Sequence, residues 1–149
     1  MSFLADEIGE WVAVLDCLHH QHVRHQPPFR SNPWVESDGG RAARIATMLD
    51  CPLCDRCDLP DGLVVVRTTA TWTETSVPKA LLRDHRVASG TWGRLRIETG
   101  SLRFRAETVP PTDALVSAGE TYPIPPDVEH HVSCDQPVRF VVEFLVPGT

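Results

Sequence analysis

The second half of the chain alternates apolar and polar residues over short segments, which is the pattern of β-strands with one buried face. Glycine, proline or Thr-Gly steps separate these segments, and Thr99-Gly100 is expected to be a hairpin turn. Many short strands joined in this way are typical of a β-sandwich or a small barrel, so this part is predicted to be mainly β. The strand candidates are "LVVVRTT", "GRLRIE", "SLRFRAE", "TYPI", "EHHVS" and "VRFVVEFLV".

The first part of the chain has a different pattern, with one good helix candidate at residues 40–49, "GRAARIATML". Apolar residues spaced by three and four positions give this segment a single apolar stripe. The turn-forming segment "LPDG" stands directly before an apolar, β-branched run, which is how a new strand-rich unit begins. We therefore predict two domains, a small α+β module at residues 1–58 and a β domain at residues 59–149.

Charge and hydropathy limit the classes of partner that the protein is expected to have. The chain has 149 residues and a formal net charge of -6, whereas binding to a nucleic-acid backbone normally needs clustered lysine and arginine. No run of about 18 apolar residues is present to cross a bilayer. The N-terminal segment "MSFLADEIGEWVAVL" is acidic where a secretory signal is basic. We expect a cytoplasmic protein without nucleic-acid or membrane partners.

Four of the five cysteines lie within the first 57 residues, which indicates metal ligation rather than disulfides in a cytoplasmic chain. In "CPLC", Cys51 and Cys54 have the spacing at which a tight turn presents two thiolates to one tetrahedral ion. Histidines follow Cys17 in "CLHHQH". The N-terminal module is therefore predicted to bind Zn(II) through Cys17, Cys51, Cys54 and a fourth ligand, which is His19, with His20 or Cys57 as alternatives.

A second interpretation is that these cysteines are small buried apolar residues and that the histidines form a polar surface run. However, a region this short, with few large apolar side chains, has little hydrophobic core. A metal cross-link is an effective way to hold such a region folded. We therefore favour the zinc interpretation.

The last strand candidate contains one acidic residue, Glu143, whose neighbours on its own strand face are apolar. A buried carboxylate must be paired, protonated or bound to a metal, because an unpaired buried charge is very costly. Glu143 is therefore a candidate metal ligand. An ion pair with Arg94 or Arg96 is the alternative. These two arginines share one strand face, and they are also candidates for binding an anionic ligand.

Two adjacent histidines, His130 and His131, follow a double proline in "GETYPIPPDVEHH". Successive side chains of a strand point to opposite faces, so only one of the two can reach the interior. Gly119, Pro125 and His130 have the spacing of the second motif of the cupin superfamily, and this resemblance selects His130. Asp127 stands where that motif has a turn glycine, and aspartate tolerates left-handed backbone better than most residues.

Both parts of the chain resemble known families. Residues 59–149, through "VPKALLRDHRVASGTWGRLRIETGSLRF", "PPDVEHHV" and "VRFVVEFL", resemble the cupin-like domain of tellurite-resistance-related proteins. That domain also precedes the methyltransferase domain of some tellurite-resistance enzymes. Residues 8–57, through "WVAVLDCLHHQHVRHQPP", "NPWV" and "LDCPLC", resemble a small bacterial domain often found beside it. Leu18 stands after Cys17 where we would expect glycine.

The resemblance implies a cupin-like double-stranded β-helix barrel with a metal site. Gly93 occupies the place of a glutamate in the first cupin motif, so the site is expected to differ from that of a standard cupin. The ligands that carry over are His85, His130 and Glu143. Two histidines and one carboxylate leave coordination positions open on a divalent ion such as Zn, Fe or Ni.

Two functions are compatible with these predicted sites. The first is a metal-dependent site for a small molecule or an oxyanion, with a link to tellurite or oxidative stress resistance. The second is a noncatalytic stress or sensor protein that binds metal or oxyanion and whose zinc module contacts another protein. The sequence does not decide between an enzyme and a binding protein. Because cupin barrels commonly pair, a homodimer is also expected.

Overall fold

A computed structural model describes residues 1–25, 27–28, 31–45, 47 and 49–148. Contacts between residues divide the chain into two compact units, Met1–Cys51 and Pro52–Thr149. No helix within the described ranges is long and apolar enough to span a bilayer. The chain is therefore organised as a smaller N-terminal unit followed by a larger one, and the boundary predicted near residue 58 stays a prediction.

Three short antiparallel strands form the sheet of the first unit. They are β1 (Ser2–Ala5), β2 (Trp11–Val14) and β3 (His20–His22), and β2 lies in the middle. A 3₁₀ turn at Pro33–Glu36 leads into helix α1, Asp38–Arg44. The unit therefore combines a small sheet with short helical segments.

Helix α1 is shorter than the helix predicted at residues 40–49 and begins before it. Ser37 caps the helix, because its Oγ accepts a hydrogen bond from the Gly40 N–H at 3.0 Å, and serine is a favoured residue at this position. Gly40 packs so closely on the backbone of Trp34 that a Cβ would lie 2.1 Å from the carbonyl oxygen. Residues 46 and 48 of the predicted helix lie outside the described residues.

The second unit is built mainly of antiparallel strands. Its strands and helix are α2 (Pro52–Asp55), β4 (Leu63–Thr68), β5 (Trp72–Thr73), β6 (Trp92–Ala106), β7 (Thr112–Ser117), β8 (Thr121–Ile124), β9 (His130–Ser133) and β10 (Val138–Pro147). The sheet order is β4-β10-β6-β7, β5 also pairs with β10, and β8 and β9 also pair with β6. The two longest strands, β6 and β10, are therefore the centre of this unit.

Strand β6 is a single strand of 15 residues where the sequence predicts two strands and a hairpin. Gly100, at the predicted turn, has a φ of 76°. The strand changes partners there, since the residues before it pair with β10 and β8 and the residues after it pair with β7 and β9. A Cβ at position 100 would lie 2.1 Å from the Pro137 carbonyl oxygen. The prediction of a hairpin was wrong, because glycine here serves a close approach between strands rather than a chain reversal.

The apolar core of the second unit lies against one face of β6 and β10. Phe140 is opposite Ile97 and Val142 is opposite Leu95, and all four side chains belong to the buried core. Because side chains alternate along a strand, the positions between these residues face the other side of the sheet. That second face carries the charged residues of the two strands.

Candidate functional site

Four predicted metal ligands, Cys17, His19, Cys51 and Cys54, come together in the structure, and we refer to them as the Cys/His cluster. One ligand atom from each residue lies within 4.8 Å of the others. Cys17 Sγ is 3.7 Å from Cys51 Sγ, and His19 Nδ1 is 3.4 Å and 3.3 Å from these two sulfurs. Tetrahedral zinc with Zn–S bonds of about 2.3 Å places two sulfurs roughly 3.8 Å apart. The donor atoms therefore have the spacing of a possible tetrahedral metal site.

A tight turn presents the first two ligands of the cluster. Leu18, between Cys17 and His19, has a φ of 74°, which is the left-handed conformation that favours glycine. Its N–H donates a hydrogen bond to the Leu15 carbonyl at 2.8 Å. The turn explains in physical terms why glycine would be expected at position 18, and it lets both side chains of the Cys-x-His segment reach the cluster.

The second pair of ligands comes from helix α2, which begins directly after Cys51 and contains Cys54. Cys57 lies in the turn that follows this helix, with a φ of 55° and an N–H that donates to the Cys54 carbonyl at 2.9 Å. The Cys57 thiol lies 3.7 Å from Thr112 Oγ1, and burial raises its pKa. Of the alternatives left open by the sequence, Cys57 lies outside the Cys/His cluster and so does the exposed His20.

His130 and His131 point in opposite directions. In the register of β6 and β9, His130 is opposite Ala106 on the core face, and His131 is opposite Arg105. His130 is only 2% exposed. Its Nδ1 lies 3.2 Å from the Val128 carbonyl oxygen, so this nitrogen carries the proton and donates. Nε2 of His130 is therefore left as an acceptor or a metal ligand.

Burial is the main reason that the pKa of His130 falls to about 4. The nearby His85 and His131 lower this pKa too, while the hydrogen bond to the Val128 carbonyl acts in the opposite direction. The imidazole is therefore neutral at neutral pH. A neutral imidazole can accept a hydrogen bond or bind a metal ion.

His85 and His130 form a histidine pair that the backbone holds together. Each residue donates its N–H to the carbonyl of the other at 2.9 Å, and the two rings meet edge to face with centroids 5.3 Å apart. Asp127, with a φ of 59°, donates its N–H to the Val87 carbonyl at 2.9 Å. This hydrogen bond joins the segment before His130 to the segment after His85. Nδ1 of His85 is buried and has no hydrogen-bond partner in the described part of the chain.

A cavity of about 780 Å³ lies beside the histidine pair, and both histidines line it. This volume is within the range of small-molecule sites. Two arginines, Arg67 and Arg86, also line the cavity. Arg86 already has partners, since it donates to the Asp127 carbonyl and to Glu129, both at 2.7 Å. Most of the remaining lining is apolar and includes Trp72, Leu81, Ile124, Val142 and Phe144.

Arg67 is a cavity residue that the sequence analysis missed. It lies on β4 opposite Phe144, and its guanidinium carbon is 4.5 Å from the centre of the Phe144 ring. The available signal was a single cation within the strand candidate "LVVVRTT". That signal became meaningful only when the register placed this cation over an aromatic residue of the core face.

Glu143 does not join the histidine pair. Its Oε1 lies 3.2 Å from Arg94 Nε and 3.4 Å from Arg96 Nε, and it follows a core residue on β10, so it lies on the opposite face of the sheet. His85, His130 and Glu143 are not among the metal-ligand groups of the described residues. The structure therefore favours the ion-pair alternative for Glu143, and Arg94 and Arg96 bind this carboxylate instead of lining the cavity.

These features define a mainly β domain with a ligand-sized cavity, preceded by a small Cys/His-rich module. The family model described as TehB-like domain matches residues 67–142. The model described as protein of unknown function DUF3565 matches residues 1–58. The chain therefore belongs to the TehB-like family and carries a DUF3565 domain at its N-terminal end.

Two solved structures have a fold similar to part of this chain. A protein from E. coli strain K12 is 20% identical, with a TM-score of 0.55, over 68% of this chain and 100% of that chain. TehB from Haemophilus influenzae is 18% identical, with a TM-score of 0.53, over 58% of this chain and 32% of that chain. A sequence search of the curated proteins finds no match. At these identities the likeness shows the fold alone, and the matched part of the chain spans about a third of the length of TehB.

Proposed function

We propose that the protein binds a small molecule in the cavity beside the histidine pair and that zinc in the Cys/His cluster stabilises its N-terminal module. The observation that carries this proposal is the position of His85 and His130. Two imidazoles line a largely apolar cavity, and each ring carries nitrogens that can donate or accept a hydrogen bond. A largely apolar cavity with a few polar groups is the usual form of a small-molecule site.

Zinc fits the Cys/His cluster by the type and the spacing of its ligands. Three cysteine sulfurs and one imidazole nitrogen are a common donor set for structural zinc, and four protein ligands close the tetrahedron. When bound, the ion supplies folding free energy rather than an open site for a reaction. Cys17 and Cys51 are 34 positions apart in the sequence, so the ion would also cross-link distant parts of the first unit.

We also propose that the second unit is a cupin-like barrel and that a divalent ion binds at the histidine pair. Because Glu143 is engaged by arginines, His85 and His130 would supply two ligands and the bound molecule would complete the coordination of Zn, Fe or Ni. Metal analysis of wild type and His130→Ala decides this point. Loss of a second metal in the variant would support the ion, and unchanged metal content would mean that the ligand contacts the imidazoles directly.

Membership of the TehB-like family favours a second candidate, a noncatalytic stress or sensor protein linked to tellurite or oxidative stress. In this candidate the cavity holds an oxyanion and the zinc module contacts another protein. The two candidates differ in turnover. Incubation of tellurite with excess dithiothreitol as the reductant, with and without the protein, separates them: loss of tellurite at the protein-free rate supports the second candidate, and loss of many equivalents above that rate supports an enzyme.

The cavity is tested directly with a neutral apolar dye, N-phenylnaphthylamine, whose fluorescence rises when it leaves water. Wild type should bind the dye, and Ala80→Trp should weaken binding by about tenfold or more, because Ala80 is an exposed residue of the cavity lining. Ala118→Trp is the matched control, since Ala118 is exposed outside this lining. Equal binding by the two variants would contradict the proposal.

A further inference from the structure

Arg67 differs from the other charged residue of the cavity lining. Arg86 is neutralised by Glu129 at 2.7 Å, whereas Arg67 takes part in none of the ion pairs found among the described residues. Its guanidinium instead lies over the Phe144 ring. The cavity thus contains one cation that is compensated by a carboxylate and one that is held by an aromatic ring.

The stacking of Arg67 on Phe144 has two physical effects. A cation over an aromatic face is attracted by the ring quadrupole, which holds the exposed guanidinium of Arg67 near the Phe144 ring at the cavity wall. The edge N–H donors of a stacked guanidinium stay available, and their fork geometry matches a carboxylate or a sulfonate. Arg67 is therefore pre-oriented for an anionic group that enters the cavity.

The rest of the lining indicates what the anionic group must be attached to. Val66, Trp72 and Phe144 offer apolar surface, which would strip water from an inorganic oxyanion without compensating it. The net charge of -6 also repels anions at long range. Preference for an anion therefore has to come from a short-range contact, combined with burial of an apolar body.

We propose that the cavity selects small organic anions, with the anionic head on Arg67 and the apolar body against Phe144 and its neighbours. A second polar group on the molecule would reach the histidine pair. This inference rests on the proposed function, because it names the class of ligand for the same cavity. In this proposal Arg67 determines the preference for an anionic ligand, and contact with the apolar lining supplies most of the binding free energy.

The experiment compares two ligands of nearly equal shape, naphthylacetate and naphthylacetamide, by their ability to displace N-phenylnaphthylamine. Wild type should bind the anion more tightly than the amide by roughly 2- to 5-fold, the range expected for a partly exposed charge pair. Arg67→Gln should bring the ratio of the two affinities to about one, with each ligand's affinity read relative to the variant's own affinity for the dye. Arg139→Gln is the matched control, because Arg139 is exposed on β10 outside the lining.

Failure of this inference is distinguishable from failure of the proposed function. If the dye binds but wild type shows no preference for the anion over the amide, Arg67 does not select charge and the inference is overturned. The same holds if Arg67→Gln keeps the wild-type preference. If the dye does not bind, or ignores Ala80→Trp, the cavity itself is not a binding site. Displacement by inorganic phosphate as strong as that by naphthylacetate would overturn the organic part of the inference.

Discussion

The Cys/His cluster and the histidine pair use similar side chains in two different arrangements. In the cluster, two tight turns of the backbone each supply two donors, and all four donors meet within 4.8 Å. In the histidine pair, two residues far apart in the sequence are joined by reciprocal backbone hydrogen bonds, and both line a cavity. The first arrangement suits a closed metal site, and the second suits an open site for a ligand.

The largest expected effect tests the closed site. Cys54→Ser should abolish binding of a single zinc ion per chain and destabilise the N-terminal unit by on the order of 5 kcal/mol, because metal binding and folding are coupled in small modules. Zinc content by elemental analysis and denaturant unfolding followed by circular dichroism measure both effects. Cys57→Ser is the control, since this buried cysteine lies outside the cluster, and it should keep its zinc. Zinc loss in Cys57→Ser, or zinc retained in Cys54→Ser, would contradict the assignment.

A smaller effect tests the burial of the histidine pair. The pKa of His130 is about 4 in the folded protein and 6.5 in the unfolded chain, so the unfolded chain takes up its proton first as the pH falls. The stability contributed by neutral His130 is complete above pH 6.5 and is lost towards about pH 4, by up to about 3 kcal/mol.

The comparison of His130→Gln with His131→Gln isolates this effect from the titration of carboxylates. Denaturant unfolding at several pH values should show a shallower loss of stability in acid for His130→Gln than for wild type. His131→Gln should retain the wild-type slope, because His131 lies on the opposite face of β9. Identical slopes for all three proteins would mean that His130 titrates normally.

The smallest expected effect on stability concerns Glu143, whose carboxylate lies on the opposite face of β10 from the core. Glu143→Gln should destabilise the protein by about 1–2 kcal/mol, because Arg94 and Arg96 lose their partner but keep partial access to water. Asp113→Asn is the control, as Asp113 pairs with Arg103 at an exposed site, and it should cost about 0.5 kcal/mol or less. Zinc content and dye binding should be unchanged in Glu143→Gln. A loss of dye binding would mean that Glu143 contributes to the cavity site.

The ligands of the Cys/His cluster could be predicted from the sequence more fully than those of the histidine pair, because shorter segments of chain determine their positions. Cys51 and Cys54 are fixed by one turn of helix, and Cys17 and His19 by one tight turn, so their spacing is visible in the sequence. His130 and His131 were separated correctly by strand alternation. The third ligand depended on which face of β10 is the core face, and both faces of "VRFVVEFLV" contain apolar residues. The cross-strand position of Arg94 opposite Glu143 is a property of register, which spans 49 residues of sequence.

Strand β4 has a practical consequence for work with the protein in solution. It pairs only with β10 among the described strands, and Val64, Val65 and Val66 on it are 48%, 42% and 59% exposed. An open strand edge with exposed valines is a surface on which separate molecules extend one another's sheets. Concentrated samples should therefore self-associate through a seam at this edge. Val65→Lys, which places a charge on that seam, should keep the protein monodisperse at higher concentration.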